Sequence, residues 1–274
     1  GTGEIGAMGQ SGGISVNLVS RSINSGVTVK SCVSVGNQAD LCLEDFLACF
    51  AEDDDIKVIT AYVEHVKHGQ RFIRMAREIS PRKPIILWKG GATPRGSRAA
   101  ASHTGALAVP CGIWEGIVRQ TGILPAENLF DTINFSRALL WETLPRGPGV
   151  GLIAPGGGTS VFMTDCSTQA GLEVPLLSPR TRETLSRFIA RVNTIIENPI
   201  DLGSASYLPQ TVMDTLAAMA GEETIHSFLL YHYVYPYKNV GARELGREFL
   251  KSVCKVRRTM DKPIYVALYC PFQN

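Results

Sequence analysis

Short apolar runs alternate with stretches of helical spacing along most of this chain, and that alternation constrains its fold more than any other feature. "EIGAM", "VKSCVSV", "IKVITAYV" and "PIILWK" read as short buried strands, with "GISVNLVSRSINSG", "LCLEDFLACFAED" and "GQRFIRMAREI" between them. In the last of these, Phe72, Met75, Ala76 and Ile79 fall on one helical face. Buried strands joined by amphipathic helices predict an α/β fold, a parallel sheet with right-handed crossovers and helices on both faces. The pattern closes near residue 145 with "GIWEGIVRQTGI" and "NLFDTINFSRALLWETL". "PRGPG" at 145–149 reads as a linker. The pattern then restarts as strand, glycine turn and helix in "GVGLIAPGGGTSVFMTDCSTQAGL", and two further strand candidates, "SFLLYHYVY" and "PIYVALYC", flank a helical stretch. The layout of "GEIGAMGQSGGISV" returns in "GVGLIAPGGGTSV", and "NQADL" at 37–41 returns in "NPIDL" at 198–202. We therefore expect two tandem domains, 1–145 and 149–274, the second truncated at its C-terminus. Gly1 stands almost on a strand and "CPFQN" follows one directly, so the chain reads as a piece of a larger assembly.

Composition excludes several classes of function. The chain has 274 residues, is 45% hydrophobic and carries a formal charge of +2, so nothing electrostatic points to nucleic acid or an anionic membrane. There is no apolar run of roughly 18 residues to span a bilayer, and the first residues lack a basic n-region followed by an apolar h-region. The seven cysteines are odd in number and form no C-x-x-C pair. That argues against a disulfide framework and a zinc site, and for a reducing, cytoplasmic setting. Each cysteine reads as a small buried hydrophobe.

Four segments carry candidate chemistry. In "MGQSGGIS" (8–15) a glycine turn between strand and helix leaves N–H donors at the helix start, which suits a phosphate. Gln10 and Ser11 add side-chain donors beside Gly12 and Gly13; the alternative is a turn that serves only close packing. "SVGNQADL" (34–41) follows a strand at the carboxyl edge, where open α/β sheets bind ligands. There Asn37 is a candidate contact and Asp40 reads as a helix N-cap. In "AYVEHV" (61–66) Glu64 ends an apolar strand at the same edge, placed to accept a proton from an imidazole. His65 alternates to the other face, and with His68 reads as a solvated loop histidine rather than a metal ligand. The run from Lys89 to Gly105 is rich in small residues and reads as a long loop, functional or disordered. His103 sits in it between Ser102 and Thr104; by spacing alone, a capping or solvated histidine is the plainer reading.

Taken together and in order, these segments resemble the NDP-forming acyl-CoA synthetases, relatives of succinyl-CoA synthetase. "SHTGALA" is similar to that family's phosphorylated-histidine segment, "GQSGG" to its S-Q-S-G phosphate turn, and "VSVGNQADL" to its S-x-G-N-x-x-D segment. "YVEHV" resembles its Y-x-E-G stretch, and "KPIILWKGG" its K-P-x-x-x-x-K-x-G strand and turn. "GGGTSVFMTDCSTQAGLEVP" and "NPIDLG" resemble the companion domain. The sequence departs from the pattern at Gly9, where serine is usual, and at Cys111, which takes the place of an aspartate after "GALA".

The resemblance implies two flavodoxin-like, succinyl-CoA synthetase-like three-layer domains. It implies catalytic roles for His103 and Glu64, phosphate binding at Gln10, Ser11, Gly12 and Gly13, and loop or ligand contacts at Asn37, Lys89, Ser102 and Thr104. A second glycine turn, Gly156, Gly157 and Gly158, is a phosphate site or, as favoured here, a packing and interdomain element. The implied ligands are coenzyme A, ATP or ADP, and phosphate, with Mg2+ on an ATP-grasp part rather than on this chain. The implied partners are that ATP-grasp part and a CoA-binding Rossmann domain, in an oligomer. The alternative is a non-catalytic regulatory module of the same family, for example one fused to an acetyltransferase. A flavin-binding flavodoxin is disfavoured, because the turns carry no aromatic to stack on the cofactor.

Overall fold

The computed structural model describes residues 3–104, 111–141, 143–190, 192, 194–233 and 240–269; for residues 101–104, 111, 141, 240–243 and 245 it describes the main chain alone. The chain divides into two compact units, Gly1–Trp141 and Glu142–Asn274.

The first unit runs β1 (Ile5–Gly9), α1 (Gly12–Asn24), β2 (Val29–Ser34), α2 (Leu43–Glu52), β3 (Val58–Val63), α3 (Gly69–Ile79), β4 (Ile85–Lys89), α4 (Pro94–Thr104), α5 (Cys111–Thr121), β5 (Leu124–Ala126) and α6 (Leu129–Trp141). Its five strands are parallel, in the order β2-β1-β3-β4-β5. Burial follows position. β1 lies inside the sheet and all five of its residues are buried, whereas β2 forms an edge and none of its residues is fully buried. Helices α2, α3 and α5 cover one face over Leu47, Phe50, Ile59, Phe72 and Ile79. Helices α1 and α6 cover the other over Ile5, Leu18, Val58, Ile86 and Ile133. This is a three-layer α/β unit of the flavodoxin-like kind. Its strand order reverses between β1 and β3, which opens a crevice at their carboxyl ends.

The second unit runs β6 (Val150–Ala154), α7 (Gly157–Gln169), α8 (Pro179–Ser186), β7 (Ile195–Ile196), β8 (Ile200–Asp201), a 3-10 turn (Gly203–Tyr207), α9 (Pro209–Met219), β9 (Ser227–Tyr233), α10 (Val240–Arg257) and β10 (Ile264–Tyr269). Its sheet has the order β10-β9-β6-β8-β7. β6 therefore sits between β8 and β9 as β1 sits between β2 and β3, which is the repeat expected from the glycine-turn layout. One pair breaks the expected parallel pattern. β7 and β8 are antiparallel, because three residues join them and only an antiparallel pair can be linked so tightly.

Two expectations are corrected by the backbone. The stretch from Lys89 to Gly105 is not a continuous loop, since residues 94–104 form α4. The reason is local: Thr93 accepts the Gly96 N–H on Oγ1 (3.0 Å), Pro94 opens the helix, and Ala99, Ala100 and Ala101 are the best helix formers. The cysteines are not uniformly buried either. Cys42 is, but Cys32 lies on the edge strand and Cys49, Cys166 and Cys254 on outward helix faces, all exposed. Among the described residues, no helix is long and apolar enough to cross a membrane.

Each unit owns its core, so truncations register separately. Leu47 in the first and Phe228 in the second are fully buried. Leu47→Ala should cost about 2–5 kcal/mol and Phe228→Ala about 3–5 kcal/mol. Val16→Ala, at a position 67% exposed, should stay within about 0.5 kcal/mol. Urea unfolding of the three variants checks this.

Candidate active site

The first unit gathers its chemistry at the carboxyl ends of β1, β3 and β4, and the main chain of Glu64 is its centre. β3 ends at Val63, so Glu64 is the first residue beyond the ladder. Its N–H donates to Gln10 Oε1 (2.5 Å), and the next N–H, of His65, donates to the same oxygen (2.9 Å). The Glu64 carbonyl accepts the Lys89 ammonium (2.8 Å), which also donates to the Gly90 carbonyl. Lys89, Gln10 and Glu64 are all buried. Three strands thus converge on one residue through side chains rather than ladder bonds.

The Glu64 carboxylate is divided in its partners. Oε1 accepts the Tyr62 hydroxyl (3.1 Å), while Oε2 is buried with no hydrogen-bond partner among the described residues. A buried acceptor left open is costly, so it marks the place of a donor. Burial first, and then the nearby Glu64 charge, push the Tyr62 hydroxyl up to about 12, so Tyr62 remains a donor across the neutral range. Its ring packs edge-on against Trp88, with centroids 4.9 Å apart.

The glycine turn lies beside this group. Ser11 is the N-cap of α1 and accepts the Ile14 N–H (3.4 Å). The N–H groups of Gly12 and Gly13 open the helix, where no intrahelical carbonyl reaches them. Gly13 has no heavy atom within 4 Å of where a Cβ would stand, so space for an anion is open above it. Gln10, expected to add a side-chain donor to the turn, faces inward. Its own N–H donates to the Tyr62 carbonyl, and its Nε2 donates to the His65 carbonyl (2.9 Å). These contacts brace the turn against β3.

Other expected residues fall as follows. Asn37 and Asp40 are exposed in the connection after β2. Asp40 does not cap α2, because the helix starts later: its N-cap is Cys42, whose N–H donates to Asp45 Oδ2 (2.9 Å). His65 does not turn to the opposite face. Strand alternation stops at Val63, and its ring lies between the side chains of Gln10 and Gln38. Gln38 had no signal in the sequence, and it is fully buried. His103 lies on the last turn of α4; its side chain and those of Ser102 and Thr104 lie outside the described residues. The side chain of Cys111 does too, so the departure there has no structural account.

The second glycine turn has a different environment. Gly156 is the N-cap of α7, and a Cβ on Gly157 would stand 3.5 Å from Asp201 Oδ2. A buried carboxylate of the protein itself therefore faces that helix start, with Oδ1 held by the Gly203 N–H (2.8 Å). "NPIDL" and "NQADL" are not equivalent in space. The first builds β8, where Asn198 pairs with β6 through Val150 O and the Leu152 N–H, and the second forms the turn after β2. Among the described residues, no cluster of three metal-ligating side chains occurs.

A strand-order reversal crowned by a glycine turn, with a half-satisfied buried carboxylate and a buried lysine beside it, is the layout of an open α/β unit with its candidate site at the carboxyl edge of the sheet. Residues 2–139 match the succinyl-CoA ligase-like flavodoxin domain, and the chain belongs to that family. It is 34% identical over 200 residues to the alpha subunit of acetate–CoA ligase [ADP-forming] II of Pyrococcus furiosus, an alignment covering 73% of this chain and 43% of the relative. It is 37% identical over 172 residues to the alpha subunit of isoenzyme I from the same organism, covering 63% and 37%. Among solved structures, it superimposes with a TM-score of 0.84 on an acetyl-coenzyme A synthetase of Ca. Korarchaeum cryptofilum described in complex with phosphate and ADP. That match has 27% identity over 97% of this chain and 57% of the other. The chain spans less than half the length of the two curated relatives.

The departure at Gly9 has a physical reason. A Cβ there would stand 2.7 Å from Ser15 Oγ, which donates to the Ser11 carbonyl (2.9 Å). Gly9→Ser should therefore destabilise by about 1–3 kcal/mol, and Ser15→Ala should relieve most of that in the double variant. Thermal unfolding of the two singles and the double checks the coupling; additive effects would refute it.

Proposed function

We propose that this chain is the flavodoxin-like part of an NDP-forming acyl-CoA synthetase, catalysing acyl-CoA + phosphate + ADP = carboxylic acid + CoA + ATP through a phosphohistidine at His103. The observation that carries the reading is the open, buried Oε2 of Glu64. A carboxylate so placed accepts a ring N–H of an incoming imidazole, fixes its tautomer and leaves the other nitrogen free to attack phosphorus.

The steps balance as group transfers. Phosphate attacks the thioester carbonyl and CoA leaves as the thiol, giving an acyl phosphate. The imidazole of His103 attacks its phosphorus and the carboxylate leaves. ADP then takes the phosphoryl group from the ring as ATP. Imidazole suits the middle role, being nucleophilic at neutral pH. The N–H groups of the Ser11–Gly13 turn, at the positive end of α1, stabilise the phosphoryl oxygens. Lys89 keeps the Glu64 main chain in place and Gln10 keeps the turn against it. The approach of Asp201 Oδ2 to Gly157, 3.5 Å from where its Cβ would stand, supports a packing role for the Gly156–Gly158 turn. The nucleotide, with its Mg2+, and the CoA belong to an ATP-grasp part and a Rossmann domain.

Incubation with the ATP-grasp counterpart and γ-labelled ATP tests the proposal. Acid-labile, base-stable label should form on the wild type and be absent from His103→Asn. Glu64→Gln should slow labelling by about 10–100-fold, the usual effect of losing an orienting carboxylate. Wild-type labelling no better than His103→Asn would overturn the reading and favour a regulatory module.

A further inference from the structure

His65 stands where the family pattern Y-x-E-G has glycine, and its ring is built into the site. Nδ1 lies 3.2 Å from Gln10 Nε2, and Nε2 lies 3.2 Å from Gln38 Nε2. Neither amide is free to turn. Gln10 Oε1 is occupied by the N–H groups of Glu64 and His65, and Gln38 Oε1 by the Leu43 N–H (3.0 Å). Both amides therefore present NH2 groups to the ring. A neutral imidazole accepts at one nitrogen and sets one donor against an amide; an imidazolium, with an N–H on both nitrogens, sets two.

Gln38 gives an independent sign that this contact is selected for its side chain. Among the described residues it is the one non-glycine with positive φ, at 57°. That conformation is strained for a residue with a Cβ, and glycine would adopt it freely. The position keeps its amide instead. Its carbonyl is held by the Lys67 ammonium (2.9 Å) and its N–H by the Val35 carbonyl (2.9 Å).

We propose that Gln38, a neutral His65 and Gln10 form a positioning relay that fixes the main chain of Glu64 and so aims its carboxylate. The catalytic meaning rests on the phosphohistidine reading; the relay itself does not. The charges facing His65 oppose one another: Glu64 and Lys67 follow β3, Lys89 ends β4, and Glu44 lies in the first turn of α2. Burial is the largest influence and holds the ring below the ordinary histidine value near 6.5. The sign follows. The unfolded chain takes up the proton first, so stability falls as pH drops from about 6.5 towards the folded-state value. The relay is intact above that value and lost below it, when two N–H groups face Gln10 and Gln38.

Gln38→Glu tests this, because it keeps the acceptor for Leu43 and replaces the NH2 with an acceptor for the ring. Imidazole 15N spectra of the wild type should show a neutral His65 at pH 7 that titrates below free histidine. The main-chain amide shifts of Glu64 and His65 should move with the same midpoint. Gln38→Glu should raise that midpoint by at least one pH unit and carry with it both the amide step and the acid limb of His103 labelling. An imidazolium at pH 7, or Glu64 and His65 amides flat through the His65 titration, overturns the relay, and the wild-type spectra alone decide this if the variant does not fold. A shifted midpoint with an unmoved acid limb overturns its role in positioning Glu64. If the wild type does not label at all, the phosphohistidine reading fails while the amide titration still decides the relay.

Discussion

One side-chain amide ties the site together. Gln10 leaves the end of β1, crosses the point where the strand order reverses, and accepts two successive N–H groups just past the end of β3. A parallel sheet runs out of ladder partners at that edge, and the first residues beyond it would otherwise be free to splay. The Gln10 amide replaces the missing partner strand and sets the distance between glycine turn and carboxylate. Lys89 does the same from the other side by holding the Glu64 carbonyl. Glu64 is thus gripped at both ends of its main chain before its side chain makes any contact.

The two units share one layout and differ in the side chain set beside the helix start. Both place a glycine turn after a strand inside the sheet, and both fold the next serine back onto a carbonyl four residues earlier, Ser15 to Ser11 and Ser160 to Gly156. They differ in what faces the helix start. At the first helical residue a Cβ on Gly12 would stand 3.8 Å from Ser34 Oγ and one on Gly157 3.5 Å from Asp201 Oδ2, whereas the second glycines, Gly13 and Gly158, are open alike. A helix N-terminus attracts an anion through its free N–H groups and dipole, and the second unit sets a carboxylate of its own near that point while the first sets a hydroxyl.

The layers and the central strands were legible because they follow from periodicity, which is local; of the two motif matches between the units, the glycine turns correspond in the fold and the Asn-x-x-Asp-Leu segments do not. Helix α4 was legible in principle, since Thr93-Pro94 and the alanine run are ordinary helix signals, but an abundance of small residues masked them. Asp40 misled because an acidic residue before an apolar run resembles a cap, whereas the capping carboxylate is Asp45, acting back on Cys42. The surroundings of Glu64 were beyond reach for another reason. Gln10, Gln38 and His65 meet across 27 to 55 residues of sequence, and no local rule marks a buried glutamine with positive φ. Glu64 itself was found through the family pattern and its place at a strand end, not through its partners.

The pair of glycines after β4 also reads differently once Glu64 is in place. In sequence, Lys89-Gly90-Gly91 looks like the start of a mobile loop. In space, a Cβ on Gly90 would fall on the Tyr62 hydroxyl and 3.1 Å from Glu64 Cγ. Gly90 is therefore empty volume held for the carboxylate and the phenol that satisfies one of its oxygens. The consequence runs back through the site. Only with that room can Tyr62 take Oε1, and only with Oε1 taken is a single lone oxygen left in a dry setting, where one further hydrogen bond counts for more than it would in water. The missing side chain at residue 90 is thus part of what gives the Glu64 carboxylate its surroundings.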